Sequence, residues 1–109
     1  MTTTEKKKYM TLQEFNETCL QMDAILTGLG NEFADDDPRV EQLIRLSNTA
    51  DEYYKELHAD GYTDMGIQME NQVFVKIIRM ARERNLCTNE FIVQSLETFV
   101  NQTKNTTKL

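Results

Sequence analysis

The sequence predicts a mainly α protein. An N-terminal helical hairpin is followed by one short strand and two helices, and this second unit joins a second copy in an intertwined dimer held by one short intermolecular β-ribbon. Three observations point there. Apolar residues recur at spacings of three and four along most of the 109 residues, the period of a helix buried on one side. Turn and cap residues divide that pattern into four segments. One stretch, TDMGIQME at residues 63–70, instead alternates apolar and polar side chains, the period of a half-buried strand.

Residues 1–10 are polar, carry Lys6, Lys7 and Lys8, and read as a mobile tail. The first helix opens at Thr11, whose hydroxyl suits the N-cap while Glu14 reaches back to it in a capping box. Phe15, Cys19, Met22, Ile25, Leu26 and Leu29 form its apolar stripe, and Gly28 and Gly30 end it. Asp37 then suits an N-cap and Pro38 the first helical position, with Asp35 and Asp36 set against the positive end of the helix dipole. Three consecutive carboxylates also suggest a metal ion, but the run lacks the glycine and terminal glutamate of a calcium loop, so capping is the better account.

Val40, Leu43, Ile44, Leu46, Ala50, Tyr54 and Leu57 supply the apolar face of the second helix, with Tyr53 and Tyr54 read as hairpin packing. Gly61 stops it after His58, a residue that the dipole favours at a helix C-terminus. The two helices should form an acidic antiparallel hairpin over residues 11–61.

After the alternating stretch, Val73, Phe74, Ile77, Ile78, Met80 and Ala81 mark a third helix to about Arg84. Asn85 suits a left-handed helix stop, and Cys87 or Thr88 opens a fourth helix. Phe91, Ile92, Leu96, Phe99 and Val100 are expected to be the buried stripe of that helix. The polar run NQTKNTTKL after it reads as a tail, with the second unit taken as residues 62–103 and 104–109 left outside it.

Composition narrows the function classes. Hydrophobic residues make up 39% and charged residues 28%, the balance of an ordinary globular domain. No apolar run approaches the roughly 18 residues of a membrane span, and the N-terminus lacks the apolar segment of a signal peptide, so a cytoplasmic location without membrane association is expected. Cys19 and Cys87 stand far apart without a CxxC pair, and His58 is the single histidine. No disulfide framework, metal site or cofactor is therefore expected. A nucleophilic enzyme would need one of those cysteines beside His58, and the scattered glycines form no phosphate loop, so no catalytic residue is assigned.

The charge is uneven. Residues 1–62 hold 6 basic and 13 acidic side chains, a balance of -7, and residues 63–109 hold 6 basic and 5 acidic, a balance of +1, which together give the chain its -6. Any contact with nucleic acid must then be local to the second half.

A lone strand leaves two rows of backbone hydrogen-bonding groups without mates. Its own copy is the economical partner, since antiparallel self-pairing has two-fold symmetry and closes as a dimer. Met65, Ile67 and Met69 of both chains would then roof a core made by the third and fourth helices, with Ile77, Phe91 and Ile92 completing the dimer interface.

Residues 66–100, GIQMENQVFVKIIRMARERNLCTNEFIVQSLETFV, resemble a ribbon-helix-helix DNA-binding domain of the Arc and CopG type. The resemblance rests on the alternating strand, the apolar spacing from Val73 to Ala81, and ARERNL leading into TNEFIVQSLETF. It implies that paired strands enter the DNA major groove, placing Asp64, Gly66 and Gln68 against base edges, where glutamine can bond adenine in two places. It also implies that the N-terminus of the fourth helix, near Cys87, Thr88 and Asn89, anchors a phosphate through backbone N–H groups. Lys76, Arg79, Arg82 and Arg84 would add positive charge.

The function expected on this basis is a dimeric, sequence-specific reader of double-stranded DNA, such as a small prokaryotic or phage transcriptional repressor or a plasmid-type regulator. Residues 11–61 would serve a protein partner or join dimers into tetramers. The alternative is an acidic helical protein-interaction module of the antitoxin, immunity or anti-repressor type that does not bind DNA. It is favoured by the acidic first half and by an expected reading face that offers an acid, a glycine and one amide.

Overall fold

The computed structural model describes residues 10–57, 61 and 63–107, with side chains as far as Gln102. Lys6, Lys7, Lys8, His58 and residues 108 and 109 lie outside the described residues. Four helices follow in order: α1 Leu12–Leu29, α2 Pro38–Leu57, α3 Asn71–Glu83 and α4 Thr88–Thr107.

Local chemistry sets the helix ends. The Thr11 hydroxyl accepts from the Glu14 N–H at 3.1 Å, and the Glu14 carboxylate accepts from the Thr11 N–H at 2.9 Å, the reciprocal capping box. Gly30 closes α1 at φ 67, a left-handed angle that costs a residue without Cβ little. The Asp37 carboxylate accepts from the Arg39 N–H at 2.9 Å and from the Arg39 guanidinium. These hydrogen bonds hold its pKa down at about 2, so this aspartate caps α2. Asn85 takes φ 58 after α3, and the Leu86 N–H turns back to the Ala81 carbonyl at 2.9 Å.

Helices α1 and α2 run antiparallel. Arg39, at the start of α2, reaches the Gly28 carbonyl near the end of α1, while Phe15 near the start of α1 stacks on Tyr53 near the end of α2 with ring centroids 4.6 Å apart. Helix α3 lies along α1 in the opposite direction. Arg82 pairs with Asp23 through two bonds, at 2.7 and 3.1 Å, and Arg79 donates to the Leu26 carbonyl, which also accepts from the Gly30 N–H at 3.2 Å, and to the Gly30 carbonyl just past the end of α1. Gln72 ties the start of α3 to the Phe33 carbonyl and the Asp35 carboxylate. One core results, built from Met22, Leu26, Leu29, Val40, Leu43, Ala50, Val75, Ile78 and Cys87.

Three expectations are corrected. The described residues contain four helices and no strand, so neither the strand nor the intermolecular β-ribbon is formed. Residues 63–70 are an irregular connection, exposed at every position. An unpaired N–H or C=O is costly only when it is shielded from water, and this connection keeps its backbone solvated. The alternation of Met65, Ile67 and Met69 therefore did not require a ladder.

Helix α4, secondly, is not buried along its stripe. Phe91 and Ile92 are half-buried, but every residue from Gln94 to Gln102 is exposed, because only the first turns of α4 meet α2 and α3. Thirdly, α4 continues to Thr107 where a polar tail was expected. That segment contains no glycine or proline, and its polar residues cost a helix at most about 0.7 kcal/mol each. No described helix is long and apolar enough to cross a membrane.

Candidate functional site

The residues expected to read DNA stand in different surroundings. Asp64 is exposed and lies 3.5 Å from the Lys55 ammonium. Gly66 is exposed, and a Cβ placed on it would meet nothing within 4 Å, so no close approach demands a glycine there. Gln68 lines a cleft, which it shares with Asn89.

The start of α4 is already occupied. Thr88 is 2% exposed, and its hydroxyl accepts from Ser47 of α2 at 2.8 Å. The Asn89 N–H donates to the Asp51 carboxylate at 3.0 Å, while the Cys87 N–H donates to Glu90. The positive end of this helix is thus met by a carboxylate of the same chain, in the position expected for a phosphate. Burial outweighs that favourable bond and the attraction of Lys55, and pushes the Asp51 pKa up to about 6.

Ser47→Ala would leave the buried Thr88 hydroxyl without this partner. The expected loss is about 1–2 kcal/mol of unfolding free energy, read from urea denaturation; an unchanged midpoint would show that the pair does not hold α4 to α2.

The arginines expected to supply positive charge are engaged within the fold. Arg79 and Arg82 bind α1 as described, and Arg84 lies over the Phe91 ring, 5.2 Å from its centroid, while donating to the Met80 carbonyl. Burial raises the pKa of Cys19 and pushes that of Cys87 up to about 12, so both thiols stay protonated at neutral pH. Among the described residues no group of three His, Cys, Asp or Glu side chains is placed to hold a metal ion.

What the fold does gather is apolar. A cleft of about 730 Å³ opens between the 63–70 connection and the first turns of α3 and α4. Its apolar walls are Ile44, Met65, Ile67, Met69, Phe74 and Ile92, and polar Gln68, Glu70, Asn71 and Asn89 complete the lining. Ile77 and Phe91, the two other residues expected at a dimer interface, are half-buried in α3 and α4 and do not line it. Beyond the cleft α4 carries a second apolar strip, with Val93, Leu96 and Val100 along one side. Exposure reaches 74% at Met65, 54% at Ile67, 65% at Phe99 and 56% at Val100.

Sequence reasoning placed Met65, Ile67, Met69 and Ile92 in an interface, but missed Ile44 and Phe74 as walls and Asp51 as the partner of α4. A signal for Asp51 existed: it follows Ala50 and stands four residues after Ser47, so it borders the buried side of α2. Comparison of the chain with protein-family models, curated proteins and solved structures gives no match.

Proposed function

We propose that this protein is a helical protein-interaction module that works by docking its apolar cleft and the exposed half of α4 against another polypeptide. One observation carries the reading: Met65, Ile67, Leu96, Phe99 and Val100 are all about half exposed or more, on the two segments that flank the cleft. Large apolar patches of this kind mark interaction surfaces, since water is a poor solvent for them. Support also comes from the start of α4 and from Arg79 and Arg82, whose polar groups already serve contacts within the chain.

A second proposal, a dimeric sequence-specific DNA-binding regulator, is favoured by the +1 balance of residues 63–109 and by the exposure of Lys76 and Gln68. Fluorescence anisotropy with a labelled random duplex, over a salt series, separates the two. The interaction module should show no saturable binding at about 50 mM salt with protein up to roughly 10 μM. Selection from a random duplex pool should likewise enrich no sequence. Salt-sensitive binding below about 1 μM, or an enriched sequence, would overturn the leading proposal.

A further inference from the structure

Resting on that interaction reading, we infer that the occupant of the cleft is a second copy of this chain, which inserts the exposed half of its own α4, and that the exchange is reciprocal. The chain holds both halves of such a contact. One half is the cleft lined by Ile44, Met65, Ile67, Met69, Phe74 and Ile92. The other is the exposed half of α4 with Leu96, Phe99 and Val100, an amphipathic helix of the kind that fills apolar grooves with residues three and four apart. A two-fold axis lets each copy give its helix and receive the other's, so the contact closes as a dimer.

Area, charge and helix stability all favour a second copy. Met65, Ile67, Met69, Leu96, Phe99 and Val100 are all exposed and together present on the order of 600 Å², which approaches the ~800 Å² that each partner contributes to a standard interface. The chain as a whole carries -6, but apart from Ile44 the surfaces brought together lie in residues 63–109, whose balance is +1. Two copies can therefore meet there while their acidic first halves stay apart, which lowers the mutual repulsion. Helix α4 is nucleated by its packed first turns and then stays exposed from Gln94 to Gln102, so docking in a neighbour's cleft adds packing to what local propensity supplies.

Sedimentation velocity over a concentration series tests the inference, with Ile67→Asp altering the cleft and Leu96→Asp the inserted helix. Both sites are exposed within one chain, at 54% and 49%, so circular dichroism should show the helix content of each variant unchanged. The wild-type chain should sediment at twice the chain mass, and each variant should weaken association on the order of 100-fold by placing a charge in an apolar contact. Mixing the two variants should restore part of the affinity, because a mixed dimer keeps one intact insertion out of two.

A wild-type monomer at about 100 μM would overturn the inference, while leaving an interaction module for an unlike partner in place. Wild-type association of Ile67→Asp would overturn it in favour of helix-to-helix pairing. A mixture no tighter than either variant alone would also overturn it.

Discussion

Ile78→Ala should lower the unfolding free energy by about 3 kcal/mol, within the 2–5 kcal/mol range for truncating a buried isoleucine. Ile78 is 0% exposed and belongs to the cluster that joins α3 to Met22, Leu26 and Leu43. The loss has two sources: the transfer free energy of the missing methyl and methylene groups, and the cavity left between helices that relax only in part. Helix α3 has 13 residues, too few to persist without its packed face, so loosening this contact also loosens Arg79 and Arg82 on α1. Val73→Ala on the same helix is the control. That residue is 43% exposed, and its truncation should stay within about 0.5 kcal/mol. Urea denaturation at one fixed protein concentration compares them, since association would make apparent stability depend on concentration. Equal midpoints for the two variants would contradict the placement of the core.

The second large effect belongs to Asp51. Its pKa in the fold is about 6, raised by burial from an ordinary value of 3.8. The folded state therefore holds this proton more tightly than the unfolded chain does. The resulting stabilisation is fully present below about pH 4 and is lost as pH rises through about 6, so stability falls with rising pH across this window. A shift of this size corresponds to roughly 3 kcal/mol between the two ends.

Asp51→Asn keeps an oxygen for the Asn89 N–H and removes the titration. The difference in unfolding free energy between wild type and variant should therefore move in the variant's favour as pH rises from 4 to 7, by up to about 3 kcal/mol. Denaturation at several pH values reads that difference directly, and the other carboxylates cancel in it. Parallel pH profiles would show that the Asp51 carboxylate is not desolvated as its position against α4 indicates.

Much of the fold was legible in the chain because helix ends are local events. Thr11 with Glu14, Asp37 with Pro38, and Asn85 each act within a few residues, and the structure places each at the helix boundary expected of it. The stripe of α1 was legible for the same reason, since Met22 and Leu26 follow helical spacing and are buried; that of α3 was legible in part, with Ile78 and Ala81 buried as expected, Val75 buried without having been singled out, and Val73 and Met80 exposed. Period alone did not separate an exposed connection from a strand at residues 63–70, because alternation reports that side chains differ, not that a neighbour is present. Nor did it separate a helix stripe buried within the chain from one left exposed, as Leu96 and Val100 show.

The amino-acid order by itself determined a mainly α chain, the starts of its helices and the ends of α1 and α3, and an acidic first half set against a nearly neutral second. Tertiary structure alone decided that Asp51 meets the start of α4, that Arg79 and Arg82 serve α1, and that Met65, Ile67, Leu96 and Val100 stay exposed. The physical reason is separation along the chain. The Asp51 to Asn89, Arg79 to Leu26 and Arg82 to Asp23 bonds join residues 38, 53 and 59 apart, so no local pattern holds both partners, and which polar group is satisfied depends on how the helices come to lie together.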